Sequence, residues 1–292
     1  MAARKGADVA DRNSGEGYAL LSPTLAVVGL ALIATMALLL VTSLKIQSGT
    51  GFEAGWTLAQ YGEVLGKGSY RILFVRSVLI AGLVTLVTVA LAYPTAYFVA
   101  FHARRKFLWL IVLTIPFWTS YLLRVFAWKI ILGYGGVINS GLLGLGLIDQ
   151  PLSFLLYNPF SVVVTLAHAW AAFAILPIYV SLEKIDRTLL EAAADLGDSK
   201  LRRFLRITLP LSMPGVIGAA ILIFVPTTGD FVTPELVGGP AGAMIANIIE
   251  VQFNQVGNWP LGAALALVSM TMVAVIAALF VAAARAASKA VR

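Results

Sequence analysis

Five stretches of this chain, residues 18–44, 77–101, 151–182, 207–229 and 251–284, contain no aspartate, glutamate, lysine or arginine. A sixth, residues 107–132, is interrupted only by Arg124 and Lys129. A hydrocarbon core about 30 Å thick takes roughly 20 apolar residues of helix, and lipid offers no partner to an unpaired backbone group, so such stretches must be helical. They lack the short alternating pattern of a transmembrane barrel, and strands are set aside throughout. The predicted fold is therefore all-α, a polytopic membrane protein with six transmembrane helices at about 19–44, 72–101, 107–132, 160–182, 211–230 and 261–284. Composition agrees, because 60% hydrophobic and 12% charged residues would leave a soluble globule short of polar surface.

A net charge of +7 raises the question of nucleic acid, and the distribution of that charge answers it. Of the 21 Lys and Arg, 15 fall in four places: three in the N-terminal tail, three at Arg104, Arg105 and Lys106, six within 184–206, and three after Ala284. The loops 133–159 and 231–260 have none. Such alternation is the positive-inside signature, which puts both termini and the second and fourth loops of a multi-pass membrane protein in the cytoplasm and the first, third and fifth loops outside. The partner implied is the lipid bilayer, with no nucleic acid. The first apolar stretch is too long for a cleavable signal peptide and reads as a retained helix.

Enzyme chemistry finds little foothold. There is no cysteine, so disulfides and Cys-ligated metal are excluded. His102 and His168 are the only histidines and lie too far apart to share a metal site. No nucleophile, base and acid fall together, so no catalytic residue is assigned. Glycine-rich residues 133–146 read as an irregular connection, and Pro94, Pro116, Pro177, Pro214 and Pro226 mark kinks or hinges in the spans.

The most informative segment is the cytoplasmic loop 183–210. Thr188 and Glu191 fit a capping box, and Ile185, Leu189, Ala192 and Leu196 fall on one helical face. Gly197 permits a left-handed turn, after which Asp198 or Ser199 would cap a second, basic helix carrying Lys200, Arg202, Arg203 and Arg206. An interfacial helix meeting anionic headgroups is one reading. However, the small-residue run Ala192, Ala193 and Ala194 before a glycine elbow suits a knob that seats in a protein groove.

Glu191, Ala192, Ala193 and Gly197, with the later Ile207, Thr208, Leu209 and Pro210, resemble the EAA motif of permease subunits in binding-protein-dependent ABC importers. That resemblance implies the type I importer permease fold, in which this loop docks on a partner ATPase through Glu191, Ala192, Ala193, Asp195 and Gly197. It further implies two ATPase subunits, a second homologous permease and a periplasmic solute-binding protein. This chain has no G-x-x-x-x-G-K-[ST] motif, so no cofactor is expected in it; ATP and Mg would sit on the partner ATPase. The implied organisation is a cytoplasmic tail at 1–18, a first helix and periplasmic loop at 19–71, a five-helix core at 72–284 and a tail at 285–292.

Three further stretches, 116–124, 229–240 and Asn258, Trp259 and Pro260, resemble the spermidine/putrescine permease subfamily. One departure is Asp230, where that subfamily leads us to expect glutamate. Asp230 and Glu235 are candidate pathway carboxylates, since an ionisable group near membrane depth is functional by default. Trp118, Tyr121 and Trp128 are candidate pathway aromatics, able to meet an amine through cation–π contact. Phe117, Tyr121, Arg124 and Trp128 follow one helical stripe, and packing is the other reading of that stripe. Arg124 would repel a cationic cargo, so it is expected to form an ion pair with Asp230 or Glu235. His168 is expected to be a hydrogen-bonded packing residue. The alternatives to polyamine import are ABC import of another small organic solute, an ion-gradient-driven carrier, or a membrane scaffold without transport.

Overall fold

In a computed structural model of the protein, the backbone is described for residues 2–49 and 51–290 and side chains for 21–49 and 51–282. Six described helices are long and apolar enough to cross a bilayer: Leu21–Ser43, Gly68–Phe101, Tyr121–Gly144, Pro159–Glu183, Lys200–Thr228 and Trp259–Ala282. The chain begins with α1 (Ala2–Ser43), continues through strands β1 (Ile46–Ser48) and β2 (Gly51–Glu53), then α2 (Ala59–Gly66) and α3 (Gly68–Phe101). Next come α4 (Lys106–Thr114), α5 (Tyr121–Leu132), α6 (Val137–Gly144) and α7 (Pro159–Glu183). The C-terminal half holds α8 (Arg187–Asp195), α9 (Lys200–Arg203), α10 (Leu209–Thr228), α11 (Gly239–Gly242), α12 (Ile245–Val251) and α13 (Trp259–Ala290).

The centre of the molecule is a three-helix packing of α3, α7 and α10. Ile80, Val84, Ala92, Ala96 and Ala100 of α3 meet Val162, Leu166, Ala174, Ile178 and Leu182 of α7 and Ala219 and Ile223 of α10. Lipid tails are as apolar as these side chains, so close van der Waals packing over small residues holds the spans together rather than burial from water. The α7–α10 approach is close at Gly215, where a Cβ would stand 2.4 Å from both the Pro177 carbonyl oxygen and Ser181 Oγ. The Tyr93 and Ser212 hydroxyls, 2.8 Å apart, tie α3 to the start of α10.

A second cluster joins α2, α12 and α13 to the start of α3 through Val64, Tyr70, Phe74, Ile245, Leu261 and Leu265. By contrast, α1 is exposed over most of its apolar length; it packs against α13, and at its end Ser43 Oγ and Tyr61 Oη lie 2.7 Å apart. Such an all-round apolar surface is compatible only with lipid or another membrane helix.

Four expectations need correction. Strands do occur: β1 and β2 form a short antiparallel hairpin outside the spans, where water and turn residues make it tolerable. The helix expected at 107–132 is broken, because Pro116 sits in a 3-10 turn (Ile115–Trp118) and Thr119 is extended before α5 starts. The glycine-rich connection contains α6, pinned by Asn139, whose side chain donates to the Gly133 and Leu152 carbonyls and accepts from the Leu152 amide. Finally, the expected loop 231–260 folds as two apolar helical limbs, Pro234–Gly242 and Ile245–Val256, bent by 109°.

Candidate translocation site and coupling segment

The break in the third span is the first element of the site. A proline-ended turn leaves carbonyls without helical partners, and Arg124, on the first turn of α5, satisfies two of them. Its Nη1 donates to the Phe117 carbonyl at 2.9 Å and to the Thr119 carbonyl at 3.3 Å. The guanidinium carbon lies 5.3 Å from the centre of the Phe117 ring, while Nε is buried without a partner. Phe117 in turn stacks on His168 at 5.9 Å, and Trp128 meets the same imidazole edge-on at 5.6 Å. His168 has no hydrogen-bond partner among the described residues; it is an exposed ring between two aromatic neighbours, not the hydrogen-bonded packing residue expected.

The second element is Asp230, just after α10. Its Oδ1 accepts from the Val232 and Thr233 amides at 3.0 and 3.3 Å, capping the helical limb that follows. Its Oδ2 accepts from the Tyr121 hydroxyl at 2.5 Å, and that hydroxyl also meets Thr233 Oγ1. Aspartate has the side-chain length that reaches its own second and third following amides, and glutamate is a methylene too long for this cap. The departure from glutamate thus has a local structural reason.

The expected ion pair of Arg124 with Asp230 or Glu235 is not made. Among the described residues the four ion pairs lie elsewhere; Arg124 is taken by carbonyls and Asp230 by amides and a phenol. Glu235 is exposed and has no partner among the described residues. Trp118 is 85% exposed. The single stripe inferred for Phe117, Tyr121, Arg124 and Trp128 divides at the helix break. Tyr121 turns to Asp230, and the other three gather round His168 and the freed carbonyls. Thr233 and the two carbonyls were not found by sequence reasoning, since no motif marks a hydroxyl or a backbone oxygen.

The third element is the segment between α7 and α10. Asp186, not Thr188, caps α8: its side chain accepts from the Thr188 amide, and the Thr188–Glu191 box is not formed. That bond stabilises the carboxylate and holds its pKa below the ordinary value. At the other end Gly197 has φ +84°, the Gly197 amide donates to Ala194 and the Asp198 amide to Ala193. These two bonds form a Schellman closure, which needs a left-handed residue at this point. Ser199 then caps α9 through the Arg202 amide.

The resulting helical hairpin is closed by Arg203, which donates from α9 to the Leu190 carbonyl of α8 at 3.2 Å, and is fastened to α3 by Arg187, which donates to the Ala100 carbonyl at 3.3 Å; just before it, Lys106 of α4 pairs with Glu183 at the end of α7 at 2.8 Å. Of the α8 residues only Ala193 is buried. The inferred face is corrected accordingly: Ile185 packs inward, whereas Leu189, Ala192 and Leu196 point away from the chain, Leu196 being 87% exposed. Glu191 and Asp195 are exposed with no partner among the described residues.

Comparison with known proteins agrees with this architecture. The spermidine/putrescine transport system permease protein PotB of Escherichia coli (strain K12) is 41% identical over 211 residues, 72% of this chain and 76% of that protein. The protein of the same name from Haemophilus influenzae is 32% identical over 232 residues, covering 79% and 80%. A chain of the bacterial alginate ABC transporter, solved with its alginate pentasaccharide-bound periplasmic protein, superposes with a TM-score of 0.75 at 17% identity, covering 95% of this chain and 96% of that one. This likeness shows the type I importer permease fold. The family described as binding-protein-dependent transport system inner membrane component matches residues 54–290, and the chain belongs to that family of membrane permeases.

Proposed function

We propose that this chain is one membrane-spanning half of an ATP-driven importer for polyamines such as spermidine and putrescine. Family membership makes it a permease of a binding-protein-dependent system, against the ion-gradient-driven alternative. The observation that carries the polyamine reading is the identity, 41% over 211 residues, to a permease named for spermidine and putrescine. The site is chemically compatible with that cargo. Glu235 is an unpaired carboxylate one turn beyond Asp230, and Trp118 presents an exposed ring on the neighbouring break. A carboxylate and an aromatic face together offset the desolvation of an organic ammonium.

The hairpin of α8 and α9 is the proposed seat of the ATPase. Leu189 and Leu196 are exposed apolar side chains on a charged segment outside the spans, and Leu201 and Leu205 are exposed on the first turns of the span Lys200–Thr228. Glu191 and Asp195 lie free beside them to meet a partner's basic or amide groups. The Arg187 bond gives a displacement of this hairpin a direct route to α3, the Arg203 bond holds α8 and α9 together, and the chain runs on from α9 into α10 as one span. In the complete importer two ATPase subunits, which hold ATP and Mg, a second permease and a periplasmic binding protein join this chain. The basic loops and both termini face the cytoplasm, and the bent limbs of 234–256 face the periplasm. The test is co-purification of the ATPase with the tagged permease. Glu191→Lys and Gly197→Trp are expected to abolish it, and retention in both variants would overturn the assignment.

A further inference from the structure

The geometry points to the break in the third span as an organic-ammonium site that the chain's own Arg124 occupies when cargo is absent. This rests on the polyamine reading above and adds where the cargo's charge is received and what it displaces. An ammonium in a membrane interior needs oxygen acceptors and aromatic faces in place of water. The break supplies both: the Phe117 and Thr119 carbonyls, the Phe117 ring, and the ring pair of His168 and Trp128 behind it. Arg124 now uses the two carbonyls and that ring, at 2.9, 3.3 and 5.3 Å.

Two observations separate this from ordinary packing. Arg124 has no carboxylate within ion-pairing distance, and its Nε is buried without an acceptor. Held by carbonyls alone, Arg124 keeps its full charge beside the spans, the pattern that marks a substrate or ion pathway. In addition, Thr119, Ser120 and His168 beside it are exposed. His168 lies inside the span Pro159–Glu183, and a polar side chain exposed there faces a cavity or another protein, not lipid. Entry of a cargo amine would send the guanidinium toward that open side, where Nε gains the partner it now lacks.

A resident group that occupies a site lowers apparent affinity by the fraction of time the site is free. Removing it should therefore tighten cargo binding. The test uses the assembled importer without its binding protein and measures equilibrium binding of labelled spermidine and putrescine. Arg124→Met is expected to bind about tenfold more tightly than the wild type, and Arg124→Lys, whose shorter side chain lacks the planar group that lies on the Phe117 ring, about threefold. Arg124→Lys keeps a charge and a donor at the break, so it decides the matter if Arg124→Met fails to assemble. Binding unchanged or weakened in an assembled variant overturns the inference, since that is what a merely structural arginine gives. If the wild-type importer with its binding protein takes up neither amine, the polyamine reading fails first and this inference with it. Uptake by the wild type combined with unchanged binding in the variants sinks this inference alone.

Discussion

Gly215 and Gly218 lie one turn apart on α10 and offer a matched pair of substitutions. At Gly215 an added methyl would stand 2.4 Å from the Pro177 carbonyl oxygen, 2.4 Å from Ser181 Oγ and 2.7 Å from Ser181 Cβ. The Ser181 hydroxyl can rotate aside, but its Cβ and the Pro177 carbonyl cannot move without α7. Relief therefore needs the two helices to separate by about 1 Å, an overpacking that costs roughly 1–3 kcal/mol. At Gly218 nothing lies within 4 Å of the added methyl. Both substitutions gain the helix preference of alanine over glycine, about 1 kcal/mol, so that contribution cancels in the comparison. Gly218→Ala is expected to match or exceed the wild type in thermal unfolding of the detergent-purified protein. Gly215→Ala should fall below Gly218→Ala by about 1–3 kcal/mol. Equal midpoints for the two variants would refute the close α7–α10 crossing.

Three other outcomes are expected. Gly197→Val forces a β-branched residue to φ +84°, costing about 1–2 kcal/mol, and should weaken ATPase retention in a pull-down, while Gly197→Asn, which tolerates that conformation, should retain it better; equal retention speaks against the turn. Tyr121→Phe removes a hydrogen bond to the Asp230 carboxylate, so the unfolding midpoint should drop by the equivalent of about 1.5–3 kcal/mol; an unchanged midpoint denies that bond. Because the Asp186 pKa is depressed on folding, its cap is fully present above the ordinary carboxylate value of 3.8 and is lost only as pH falls below it. Amide exchange at Thr188 should therefore stay slow from neutral pH down to that range; loss of protection already at mildly acidic pH would contradict the cap.

Much of the architecture was legible because lipid enforces it. Charge-free length locates five of the six spans, the third being displaced from the expected 107–132 to Tyr121–Gly144, and Gly197 and Ser199 announce their turn and cap by residue type. What escaped was set by local competition. Pro116 signals a kink, but composition does not say that Thr119 turns extended and that the helix restarts at Tyr121. The bent limbs 234–256 read as a loop because each is too short to span alone and prolines and glycines punctuate them. Asp186 outcompetes Thr188 as the cap because it stands one position before the helix, with an acceptor at the right reach. The ion pair assigned to Arg124 failed for a related reason: sequence shows side-chain charges, whereas the groups that took Arg124 and Asp230 are backbone carbonyls, backbone amides and a tyrosine hydroxyl.

The central claim is that an external motor drives this bundle to move an organic cation inward. Proteoliposomes holding the permease with its partner subunits, given the loaded binding protein outside and ATP inside, test it most directly. Labelled spermidine should accumulate with ATP and not with a non-hydrolysable analogue, and Glu191→Lys should abolish the uptake. Accumulation that proceeds without ATP, or that survives Glu191→Lys undiminished, would contradict the account.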